Sequence, residues 1–161
     1  MSNNSKGLTG IAGVYFVAAE LSQRGYIATL TLGNTDCVDI LASNIDGSKI
    51  VSIQVKTNSP DSYETSWHMS RKHENISSLN LFYVFVHLNG EGKTPNFYIV
   101  PSEIVAKYVK EIYPEFRKNS TPENIKKSRE SDLRFFELYD EGFFKGKVEK
   151  YHNKWENLGL K

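Results

Sequence analysis

The 161-residue sequence predicts a mixed α/β domain. An apolar, helix-like stretch near the start is followed by three short β-branched stretches set off by turn residues. After a polar interval come two more strand-like stretches and a second helical pattern. The order is α-β-β-β, then β-β-α, then an aromatic-rich tail, and no internal repeat or domain boundary interrupts it, so residues 1–161 read as one domain with its own core.

Residues 10–24, GIAGVYFVAAELSQR, carry Ile11, Val14, Ala18 and Leu21 at helical spacing. Thr9 is an expected N-cap and Gly25 an expected C-terminal stop. YIATLTL (26–32) reads as a strand, GNTD (33–36) as a turn and CVDILAS (37–43) as a second strand. NIDG (44–47) is a hairpin signal, because Asp46-Gly47 supplies the positive φ of a tight turn. IVSIQVKT (50–57) is then a third strand, antiparallel to the second, which NSPDS (58–62) ends. LNLFYVFVHL (79–88) and NFYIV (96–100) are strands around the loop NGEGKTP, and Ser102 is placed to cap a helix over 103–113 with Ile104, Val105, Tyr108 and Ile112 on its apolar face. Within the polar run 117–132, Thr121 and Pro122 mark a helix start. The tail holds Phe135, Phe136, Tyr139, Phe143, Phe144, Tyr151 and Trp155 and is expected to pack back onto the domain.

Composition excludes several classes. Hydrophobic residues are 39% and charged residues 24%, which suits a water-soluble globular domain, and the aromatic content argues against disorder. No apolar run approaches the roughly 20 residues that span a bilayer. Met1–Gly7 lacks the apolar core of a signal peptide, so the expected location is the cytoplasm. The single cysteine, Cys37, allows neither an intrachain disulfide nor a cysteine-based zinc cluster. A net charge of +1 neither requires nor excludes a nucleic-acid partner, since a basic stripe can hide in a balanced total.

The chemistry concentrates on the second and third strands. Strand alternation puts Val51, Ile53 and Val55 on one face and Ser52, Gln54 and Lys56 on the other. Asp39, inside an apolar strand, is costly unless paired, hydrogen-bonded or metal-bound. If Asp39, Gln54 and Lys56 share a face, a carboxylate, an amide oxygen and an ammonium converge. The oxygens suit Mg²⁺, and the ammonium can orient a water or stabilise charge on a phosphate. The same residues also fit a turn-side ion pair and a wet strand face. Glu20, on the mostly apolar first helix, is a fourth candidate; the alternative is an i, i+4 pair with Arg24. A literal E-x-K at Glu91-Gly92-Lys93 lies in a Gly-rich loop with no strand around it and is discarded.

This arrangement resembles the PD-(D/E)XK nuclease superfamily. GVYFVAAELSQRGYIATLTLGNTDCVDILAS followed by IQVKT is similar to its small bacterial members, and the Q-x-K form is similar to that of Mrr-type restriction enzymes. The core of the resemblance covers roughly residues 10–57 of the sequence. It implies a restriction-endonuclease-like central mixed β-sheet flanked by helices. It also implies an endonuclease-like hydrolase acting on DNA phosphodiester bonds with Mg²⁺ or Mn²⁺. Asp39 matches the metal-binding Asp, Gln54 the second ligand position and Lys56 the catalytic Lys. Glu20 matches the helix Glu that many members add, archaeal Holliday junction resolvases among them. Gln54 departs from the commoner Glu and removes one negative charge from the site.

Other candidates are weaker. His68 and His73 have no metal-motif spacing and read as surface histidines. Trp67 could stack on a base, although a Trp between polar residues at a strand end is more often core or rim. Lys126, Lys127 and Arg129 could contact phosphates or form a solvated face with Glu123, Glu130 and Asp132. Three functions follow. The first is a metal-dependent DNA endonuclease, with a homodimer favoured for cutting both strands. The second is a catalytically inactive nucleic-acid-binding module on the same fold. The third is a protein-interaction component of a defence system that uses the aromatic tail. None involves a membrane.

Overall fold

A computed structural model describes residues 3–32, 37–112, 132–139 and 141–161. The expected helix start at Thr121-Pro122 lies outside the described residues.

The first helix, α1, spans Asn3–Gln23. It runs through Thr9 rather than starting there, because only Gly7 weakens the preceding turn, at a cost of about 1 kcal/mol. It ends as expected at Gly25, whose φ of 80° closes the helix with Gly25 N–H on Ser22 O (3.0 Å) and Tyr26 N–H on Leu21 O (3.1 Å). The strands are β1 (Ile27–Leu30), β2 (Ile40–Ser43), β3 (Ile50–Asn58), β4 (Ser66–Ser70), β5 (Leu81–His87), β6 (Asn96–Pro101) and β7 (Leu133–Glu137). The second helix, α2, covers Ser102–Lys107 and continues as a π-helical turn over Tyr108–Ile112. Its N-cap position is Pro101; the Ser102 hydroxyl instead donates to Ser78 O at 2.9 Å and clips the preceding loop to the helix.

A five-stranded mixed sheet runs in the order β1-β2-β3-β5-β6. β1, β2 and β3 form the expected antiparallel meander, β3 and β5 are parallel, and β5 and β6 are antiparallel. β4 and β7 make a separate antiparallel ribbon.

Alternation along the strands builds two cores. On one face, Val17 and Leu21 of α1, with Trp155, Leu158 and Leu160 of the C-terminal segment, pack on Ile40, Ala42, Val51, Ile53, Val55 and the even-numbered residues of β5. Gly13 marks where α1 comes closest to the sheet, since a Cβ there would lie 1.8 Å from Thr57 Oγ1. On the other face, Tyr83, Phe85, Tyr98 and Val100 meet Trp67 and Met69 of β4, Phe136 of β7 and Val105 of α2. The aromatic tail thus packs back as expected. Among the described residues no helix is long and apolar enough to cross a membrane.

Candidate active site

β2 and β3 carry the centre of the candidate site. Their register pairs Ile40 with Ile53, and one step further it sets Asp39 opposite Gln54. Ile40 points into the α1-side core, so Asp39 faces the other way, on the same side as Gln54 and Lys56. Asp39 is fixed on all sides. Its N–H donates to Ile53 O at 2.8 Å, its C=O accepts from Thr31 N–H at 3.0 Å, and its Oδ2 accepts from Val55 N–H at 2.7 Å. A carboxylate held by two strands in this way has one orientation, which is what a ligand needs.

Gln54 is buried and Lys56 half-buried. Burial pushes the Lys56 ammonium below the usual lysine range; the Asp39 carboxylate opposes that shift, and Lys72 adds to it. The structure therefore brings Asp39, Gln54 and Lys56 together on one face, next to Lys72.

Glu20 is not brought to them. It sits on α1, the helix covering the opposite face, where its carboxylate pairs with Arg24 one turn on. It lines a separate groove formed with Pro60 and the Leu88–Pro95 loop. The expectation that Glu20 joins Asp39 is corrected by this: helical spacing gave it a nearer partner.

Two other expectations also change. Trp67 is 1% exposed, donates Nε1–H to Val86 O at 3.0 Å, and lies 5.0 Å from the Phe85 ring and 5.5 Å from Tyr98. It is a core residue with no ring face to offer a base. His73 is buried, not on the surface, whereas His68 is exposed and packs on Phe135. Lys126, Lys127 and Arg129 lie outside the described residues.

His73 was the residue the sequence concealed. It belongs to a 3-10 turn (Arg71–Glu74) directly after β4, which is anchored by Arg134 Nε to Glu74 Oε1 at 2.9 Å and by Arg71 N–H to Asp132 O at 2.9 Å. Burial pushes its imidazole down to about 4, and the Lys56 charge adds to that shift, so it is neutral at pH 7. Tyr83, the parallel register partner of Gln54, stands edge-on to it with ring centroids 5.9 Å apart.

Among the described residues no group of three or more His, Cys, Asp or Glu side chains gathers to hold a metal ion. Among the described residues the oxygen donors on the Lys56 face are the Asp39 carboxylate and the Gln54 amide. Both are hard oxygens, which fit Mg²⁺ or Mn²⁺, and the former keeps several waters and borrows substrate phosphate oxygens. They do not fit an ion caged by protein ligands alone.

No protein-family model matches the chain, and no curated protein matches it significantly. Two solved structures share its fold. A bacterial homing endonuclease, I-Ssp6803I, superposes with a TM-score of 0.56 at 15% identity, over 96% of this chain and 90% of that one. The Holliday junction resolvase Hjc of the archaeal hyperthermophile Archaeoglobus fulgidus superposes with a TM-score of 0.50 at 13% identity, over 93% and 95%. The chain thus shares the fold of these two proteins, a mixed central sheet flanked by helices, as expected.

Proposed function

We propose that this chain is a divalent-metal-dependent nuclease that hydrolyses phosphodiester bonds in DNA. The observation that carries the reading is the shared face of Asp39, Gln54 and Lys56, with Asp39 locked by Val55 N–H, on a fold held in common with two nucleases. Asp39 and Gln54 are the residues that would hold Mg²⁺ or Mn²⁺. The ion would supply Lewis acidity at a phosphoryl oxygen and a more acidic bound water. The Val55 N–H on Oδ2 would hold the Asp39 carboxylate in one orientation for that role. The Lys56 ammonium orients the attacking water and stabilises charge developing on the phosphate, and its lowered pKa eases proton exchange there. Cutting both strands of a duplex calls for two such sites, which a homodimer supplies; sedimentation of the purified protein reads the oligomeric state. DNA as substrate and a lone cysteine fit a cytoplasmic location.

The test is cleavage of supercoiled, linear duplex, single-stranded and branched DNA with Mg²⁺ or Mn²⁺. Wild-type protein is expected to cut at least one form, and Asp39→Asn and Lys56→Ala are expected to lose the activity. Cleavage that survives both substitutions rejects the assignment. One observation favours a second reading: the neutral amide of Gln54 leaves a single negative charge for the ion. A binding module without turnover would show salt-dependent DNA affinity and no cleavage with either metal.

A further inference from the structure

We infer that His73 and Tyr83 are positioning residues at the Lys56 side of the site, holding one oxygen atom between His73 Nε2 and the Tyr83 hydroxyl. That oxygen belongs to a buried water. The inference rests on the nuclease reading and names residues outside the Asp39–Gln54–Lys56 set.

Both polar atoms are buried and make no hydrogen bond with the described residues. Their residues are 2% and 0% exposed. Such groups are scarce in folded proteins, because burying a donor without a partner costs more than filling the space with an apolar side chain. A Phe at position 83 would keep the stack on Phe85 (centroids 5.7 Å apart) without carrying a hydroxyl into the core.

The chemistry of the two atoms is complementary to an oxygen. Ser70 N–H donates to His73 Nδ1 at 3.0 Å. Ser70 O at 3.0 Å and Ser70 Oγ at 3.1 Å lie equally near that nitrogen, so Nδ1 is satisfied in either tautomer and Nε2 is left as a donor or as an acceptor. Nε2 and the tyrosine hydroxyl thus stand in neighbouring rings as two polar atoms that one water, both donor and acceptor, can serve. Their location ties them to the reaction: Tyr83 is next to Gln54 in the sheet, and the Lys56 charge reaches His73. Ser70, the Arg134–Glu74 pair and the Phe85 stack hold both rings from behind.

The experiment uses the full chain, with supercoiled plasmid and a four-way DNA junction as probes and Mg²⁺ or Mn²⁺ present. Tyr83→Phe is expected to lower kcat about tenfold, the worth of a hydrogen bond made to the reacting arrangement, with Tm unchanged or higher. His73→Asn, which keeps a group at the Nδ1 position only, is expected to fall similarly. His73→Gln, which reaches the Nε2 position, is expected to recover most of the rate. The fall is expected in kcat with KM unchanged, because a buried water does not touch the DNA directly. The inference is overturned, and the nuclease reading kept, if Tyr83→Phe and His73→Asn cut at the wild-type rate while Asp39→Asn is inactive. It is also overturned if the two His73 variants lose rate equally and in step with a lowered Tm. Wild-type protein that cuts neither DNA with either metal removes both.

Discussion

Single residues decide how strong the proposed metal site would be. Among the described residues Asp39 is the carboxylate that faces Lys56, and Gln54 would contribute an oxygen without a charge. Gln54→Glu is therefore expected to lower the Mg²⁺ concentration for half-maximal cleavage by about tenfold, since carboxylate count tunes affinity for hard cations. A metal titration of the cleavage rate measures this. His73 makes a separate expectation about stability. Its pKa is depressed in the folded state, from 6.5 to about 4, so the unfolded chain binds the proton more readily. Its contribution is fully present above pH 6.5 and is lost as pH falls toward 4, by about 3 kcal/mol in all. Lys56 and Lys72 reinforce the shift and Asp132 opposes it. Denaturant unfolding between pH 7 and 4 is expected to show this slope, and His73→Asn to flatten it. Glu20 shows the limit of reading one residue by spacing. Its position on an apolar helix pointed to the sheet, but its carboxylate pairs with Arg24 at i+4.

At the scale of elements, the helix and the first three strands were legible because their signals are local. Periodicity gave α1, turn chemistry gave the Asp46-Gly47 hairpin, and alternation gave the two faces of β3. The β4–β7 ribbon was not legible. SWHMS mixes polar and apolar residues, and its partner LRFFE lies more than 60 residues on, so only tertiary pairing makes either a strand. His73 was missed for the same reason: SRKHEN reads as surface, and burial comes from the ribbon holding that turn against β5. Two substitutions probe these packings. Gly13→Ala would drive a methyl into Thr57 where α1 meets β3, and is expected to cost about 1–3 kcal/mol by chemical denaturation. Thr57→Ala, which removes the nearest atom, is expected to restore part of the loss. Trp67→Ala empties the centre of the second core and is expected to cost about 3–5 kcal/mol, seen as a lowered denaturation midpoint.

Across the whole molecule, the sheet separates two jobs. The α1 side is a dry core of aliphatic side chains with Trp155 behind it, and it fixes β2 and β3 against each other. The other side is aromatic where the ribbon covers β5 and β6, and polar where Asp39, Gln54 and Lys56 project from β2 and β3. One long strand, β3, serves both: its odd residues are core, and its even residues are the candidate chemistry. This division of faces explains why the site could be located from alternation alone, while its surroundings could not. An anomalous-scattering map from crystals grown with a DNA duplex and Mn²⁺ tests the site most directly. The expected result is an Mn²⁺ peak about 2.2 Å from oxygens of Asp39 and Gln54, with the Lys56 ammonium beside a phosphate or a bound water. A peak at Glu20, or none near Asp39 with DNA bound, would contradict it.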